Sequence, residues 1–126
     1  MSDSPASDSP ASASALPPLR SPWGDIAPHL AAISDSVLFD EVWQRPGLSP
    51  RDRSLATIAA LIAGYRHNEL AAHVRRGLAV GISRDELAEL VTHLAFYSGW
   101  PTAATAIGVI RQVYAELDAA AQDITR

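Results

Sequence analysis

Helix starts and helix stops alternate along most of this chain, with too little room between them for anything but short helices. Residues 49–52 read "SPRD": Ser49 is a good N-cap, Pro50 suits the first helical position, and Asp52 stands where a capping-box acid would. Leu55, Ile58, Ala59 and Ile62 then recur at helical spacing until Gly64, which can end the run. The stretch "RHNELAAHVRRGLAVG" follows over residues 66–81, with Asn68 as the expected cap and Gly81 just past the end. A capping box from Ser83 to Glu86 opens the next segment, striped by Leu87, Leu90, Val91 and Leu94 and stopped by Gly99. "WPTA" starts the last, with Ile107, Ile110, Tyr114 and Leu117 as its expected inner face. Upstream, Ile26, Leu30, Ile33 and Val37 predict a further helix running to about Gln44, with Pro28 in its first turn. No segment sustains alternation of period two, so no strand is expected. The fold class is all-α, a small bundle of five helices.

Residues 1–22 differ in kind. They are rich in Ser, Pro, Ala and Asp, and "SDSPA" occurs twice in succession. Such a segment cannot bury enough apolar surface to offset its chain entropy, and it reads as a disordered tail ahead of a helical domain over 23–126. The other reading is an arm that docks on a neighbouring subunit through Leu16 and Leu19. The domain is alanine-rich, and each alanine buries little area. Val37, Leu38, Phe39, Val42 and Trp43 crowd more than one face of the first helix, so a second subunit is expected to cover them.

Charge and composition exclude several functions. The formal net charge is −4, and Arg75 and Arg76 are the only adjacent basic residues, which argues against a nucleic-acid surface. The chain has no cysteine, so disulfides, thiolate metal sites and thiol redox chemistry are out. His29, His67, His73 and His93 show neither an HxxxH nor an HExxH spacing, and no metal is expected. No apolar run is long enough for a bilayer and no basic-then-apolar segment opens the chain; no membrane partner and a cytoplasmic location are the expectation. Neither a glycine-rich phosphate loop nor a serine-nucleophile motif is present.

What remains is a histidine in an unusual place. His73 falls beside the stripe of Leu70, Val74 and Gly77, with Glu69 one turn before it. A carboxylate there would orient the ring or raise its pKa, which suits acid–base work. The residues leave a second reading open, a packed histidine beside a surface glutamate. His93 and Tyr97 are also four apart, a pattern that fits a helix-to-helix contact before it fits a place beside His73. Trp43, Tyr97 and Trp100 flank turns, where aromatics wall a flat ligand or plug a bundle end. Arg51 and Arg53 occupy a first turn where the helix dipole prefers acids, so they serve an anion or a structural ion pair.

Taken in order, "RPGLSPRDRSL", "ELAAHVRRGLAVGISRDELAE" and "YSGWP" make the chain resemble the carboxymuconolactone decarboxylase family from about Asp25 to Leu117. The resemblance implies the alkylhydroperoxidase-D-like fold and a closed homo-oligomer, trimer or hexamer. That superfamily carries a C-x-x-C pair where this chain has Arg66 and Glu69, so peroxidase chemistry is not expected. The decarboxylase branch acts without a cofactor on 4-carboxymuconolactone, giving 3-oxoadipate enol-lactone. By resemblance, His73 would return a proton to carbon, Glu69 would orient it, and Arg51 or Arg53 would hold the substrate carboxylate. "FYSGWP" looks like a less defined branch, and His93 and Trp100 are where a different substrate would be selected. Two other readings stay open: another lyase, isomerase or hydrolase of a biosynthetic pathway, and a non-catalytic oligomeric binding protein.

Overall fold

The computed structural model describes residues 19–125, in two units that divide after Pro50. The expectations of a disordered segment and of Leu16 as an anchor lie outside the described residues; Leu19 lies at their edge.

The first unit contains one short α-helix, α1 (Pro28–Ile33), followed by a π-helical stretch over Ser34–Phe39 and a 3₁₀ turn over Val42–Gln44. The expected continuous helix from Ile26 to Gln44 is therefore broken. The cause lies in "SDS" at residues 34–36, whose short polar side chains compete with the backbone. Asp35 is drawn toward Ser21, whose N–H donates to its Oδ1 at 2.8 Å. The hydroxyl of Ser36 donates back to the Ile33 carbonyl. The ladder then widens, and the Asp40 N–H reaches the Asp35 carbonyl five residues back. Arg20 pairs with Asp40 at 2.9 Å, so this corner is fixed from both sides. The apolar stripe forms but stays uncovered. Only Ala31 is buried, Leu30, Ile33 and Val37 are about half exposed, and Ile26 is 84% exposed.

The second unit holds four helices: α2 (Pro50–Ala63), α3 (His67–Ala79), α4 (Arg84–Ser98) and α5 (Trp100–Thr125). Among the described residues there is no strand. α2 and α3 form a hairpin that meets where Ile58 lies against Gly77 and Ile62 near Leu70, and α5 packs along both α3 and α4. The core joins Ile58 and Ile62 of α2, Leu70 and Val74 of α3, Leu87 and Val91 of α4, and Ala103, Ala106, Ile110 and Val113 of α5.

Three details depart from expectation. α2 is closed by Tyr65 rather than by Gly64: Tyr65 takes the left-handed conformation (φ 59°), its N–H donates to the Ile62 carbonyl, and the Arg66 N–H reaches Leu61. Gly64 helps for a different reason, since a Cβ there would sit a tight 3.0 Å from the Ala60 carbonyl oxygen. As a consequence α3 starts early. Arg66 stands at the N-cap without a side-chain bond, and Asn68 lies inside the helix. The inner face of α5 is also rotated. Ala103, Ala106, Ile110 and Val113 face the core, while Ile107 is 43% exposed. Alanines let α5 lie close to its neighbours, and that closeness puts the bulkier Ile107 and Leu117 on its flank.

Other signals match. Ser83 Oγ accepts from the Glu86 N–H at 3.0 Å, and Glu86 Oε1 accepts from the Ser83 N–H at 2.9 Å, a complete capping box. Gly81 (φ 113°) and Gly99 (φ 102°) occupy backbone that side chains rarely adopt, each just past a helix. Gly77 lets α2 and α3 touch: a Cβ there would lie 2.9 Å from Ile58 Cδ1 and 3.0 Å from Ile82 Cδ1.

Candidate functional site

The hairpin of α2 and α3 presents most of the candidate residues. Leu70, Val74 and Gly77 turn α3 toward the core. Glu69, His73 and Arg76 follow one another on the adjoining stripe, each about one turn from the next. Glu69 is exposed; His73 and Arg76 are half-buried. His73 therefore has a carboxylate on one side and a guanidinium on the other. Its pKa is lowered, first by burial and then by Arg76, against the opposing pull of Glu69. Glu69 does pull it upward as expected, but the net direction is down. Burial disfavours the imidazolium, and Arg76 outweighs what the exposed Glu69 returns. At neutral pH the ring is neutral.

On α2, the guanidinium of Arg51 is engaged by Glu86 and by Asp52 Oδ1 at 3.3 Å. This pair ties the first turn of α2 to the first turn of α4, because Glu86 is also the capping-box acid. The Ser83 backbone N–H, and then Arg51, hold the Glu86 carboxyl below its ordinary range. Arg53 is half-buried, and its carbonyl accepts the Thr57 hydroxyl at 2.8 Å. Ser54, beside it, is completely buried on the face that carries Ile58, a polar core residue that hydrophobic periodicity passes over.

At the α4–α5 corner the rings of His93 and Tyr97 lie 4.8 Å apart, as their spacing suggested. Phe96 stands edge-on to Trp100 at 5.0 Å. Tyr97 is 79% and Trp100 63% exposed, so within one chain this aromatic group is an open surface. Phe96 was not singled out from the sequence; its place beside Tyr97, four residues before Trp100, was the available signal. Trp43 belongs to the first unit, half-buried in the 3₁₀ turn.

The sequence reading also missed a groove of about 530 Å³ between α3 and α5, lined by His67, Asn68, Ala71, Thr105, Gly108 and Gln112 among others. Tyr65 stands at its His67 end, where the Thr105 hydroxyl donates to the Tyr65 oxygen at 3.4 Å. At the other end Arg75 pairs with Glu116, which also accepts from Gln112. Among the described residues no three His, Cys, Asp or Glu side chains gather as a metal site would need, and no helix is long and apolar enough to cross a membrane.

An all-helical unit with a half-buried, neutral histidine between an acid and an arginine is the framework on which the family comparison falls. The model of the carboxymuconolactone decarboxylase family matches residues 28–112. The chain belongs to that family. It is 40% identical over 86 residues to 4-carboxymuconolactone decarboxylase of Acinetobacter baylyi, covering 68% of this chain and 64% of the relative. It is 38% identical over 71 residues to nitrosuccinic acid decarboxylase of Metarhizium robertsii, covering 56% of this chain and 50% of the relative. An uncharacterized 15.0 kDa protein of Paracoccus denitrificans is 30% identical over 95 residues, 74% of this chain and 71% of the relative. The chain thus spans between half and two thirds of the length of the two named decarboxylases.

Proposed function

We propose that the protein is a decarboxylase of a small acidic compound, 4-carboxymuconolactone or a relative of it, working without a cofactor. The 40% identity to a 4-carboxymuconolactone decarboxylase carries this reading. The similarity to a nitrosuccinic acid decarboxylase supports the broader chemistry, since both names describe loss of a carboxyl group. In each case the electrons left behind can move onto oxygen, of an unsaturated lactone or of a nitro group.

His73 is the proton donor in this reading. The ring rests neutral, and an anionic substrate beside it favours protonation from solvent. Arg51 or Arg53 holds a substrate carboxylate by paired N–H donors. The bond from carbon to the leaving carboxylate breaks, carbon dioxide departs, and the electron pair delocalises onto oxygen. The imidazolium then delivers its proton to carbon and returns to neutrality. Glu69 orients the ring. His93, Tyr97 and Trp100 act in substrate selection, within a closed homo-oligomer of three or six subunits.

The test is decarboxylation by purified protein of 4-carboxymuconolactone, followed in the ultraviolet, and of nitrosuccinic acid in parallel. Turnover of the first supports the lactone. Turnover of the second alone moves the substrate and keeps the reaction class. Turnover of neither overturns the reading. His73→Gln keeps size and polarity but cannot shuttle a proton; it lowers turnover about 100-fold or more while circular dichroism stays unchanged. Full activity in that variant removes His73 from the mechanism.

A further inference from the structure

Two arginines share one apolar slot between α4 and α5. It encloses about 250 Å³, and its lining includes Leu87, Ile107, Ile110 and Tyr114 together with Arg84 and Arg111. Leu87 and Ile110 are buried and form its floor; Ile107 is the exposed wall. The two guanidinium groups are not equivalent. Arg84 lies 4.1 Å above the Tyr114 ring and is paired with Asp118 at 2.7 Å. That contact fixes the ring as a flat wall. Arg111 has no ion-pair or hydrogen-bond partner for its side chain among the described residues. Asp118 and Asp85 both bear on this end of the slot, but neither is bonded to Arg111, whose N–H donors stay open beside apolar surface. The larger groove between α3 and α5 differs here, because Glu116 neutralises its Arg75.

We propose that this slot is a separate small-molecule site, sharing no residue with the His73 site, and that it takes an aromatic monocarboxylate. Arg111 receives the carboxylate through paired N–H donors, and the ring lies on Leu87 and Ile110 between Ile107 and Tyr114. The volume falls below the roughly 300–1,000 Å³ of drug-sized sites and suits a single ring. One guanidinium without a bonded acid matches one carboxylate.

The test is calorimetric titration of the full chain with benzoate, and with benzamide as its uncharged isostere. Benzoate binds saturably with a Kd below about 1 mM, and benzamide binds at least about tenfold more weakly. Arg111→Gln weakens benzoate about tenfold or more, and Ile107→Trp, which fills the slot, abolishes binding. Arg53→Gln leaves it unchanged. Arg111 is a surface residue, so its variant reports even if Ile107→Trp fails to fold. Absence of saturable binding, equal binding of benzamide, or no effect of Arg111→Gln overturns the proposal. Loss of binding in Arg53→Gln also overturns it, by moving benzoate to the other site. If benzoate does not bind and Ile107→Trp changes the mass seen by light scattering, a second copy of the chain covers the slot and the proposal fails.

Discussion

His73 couples the candidate chemistry to stability. Its pKa is lowered in the fold, so between that lowered value and the unfolded value of about 6.5 the unfolded chain binds more protons. Stability is therefore full above about pH 7, declines as pH falls through 6.5, and levels off below the folded value. Denaturant titrations between pH 5 and 8, run on the protein and on His73→Gln, check this: the variant should show a flatter profile in this range. A decline on raising the pH would mean that Glu69, not burial and Arg76, governs the ring. The pairing of Glu69 with His73 was legible in the sequence, because four residues make one helical turn. The direction of the shift was not, because it depends on how far the ring is buried and on Arg76, which that pairing did not include. Arg51 is a similar case. Its place in a first turn announced an acidic neighbour, but Glu86 is 35 residues away and only the fold brings it near.

Among the elements, the punctuation carried most of the information. Ser83, Glu86, Gly81 and Gly99 act where the sequence put them, because capping is local chemistry. Gly81 gives a direct test. A Cβ there would meet nothing closer than Arg51 Cδ at 3.9 Å, so the cost of Gly81→Ala is backbone strain and not a clash. It should destabilise the protein by roughly 1–2 kcal/mol, measured by urea unfolding. A neutral result would mean that the turn readily adopts another conformation. Where elements were misjudged, non-local packing was responsible. Tyr65, a bulky residue at positive φ, gives no sequence signal of its own. The inner face of α5 was drawn through its largest side chains, whereas the alanines Ala103 and Ala106 make the approach. The first helix gave way at Ser34, Asp35 and Ser36, three residues that disfavour a helix interior and were outweighed in the reading by the apolar spacing around them.

At the scale of the whole molecule, the uncovered stripe of the first unit is the main ground for expecting assembly. Ile26→Asp places a charge on the most exposed of these apolar residues. It should leave helical content intact and reduce the mass seen by light scattering; an unchanged mass would remove Ile26 from any interface. α5 bears on the molecule differently. It has 26 residues against 13 in α3 and 15 in α4, so it outruns the helices that support it. Arg75 with Glu116 and Arg84 with Asp118 join it to those neighbours, and from Ala119 to Ile124 every side chain is exposed. Those final turns bury no side chain, so in deuterium exchange they should label well before residues 103–113. Both ties are surface ion pairs, and at 1 M salt the screening length shrinks to about 3 Å. Brine should therefore peel the helix back toward Val113, where burial takes over, making the length of ordered α5 a property of the solvent as much as of the chain.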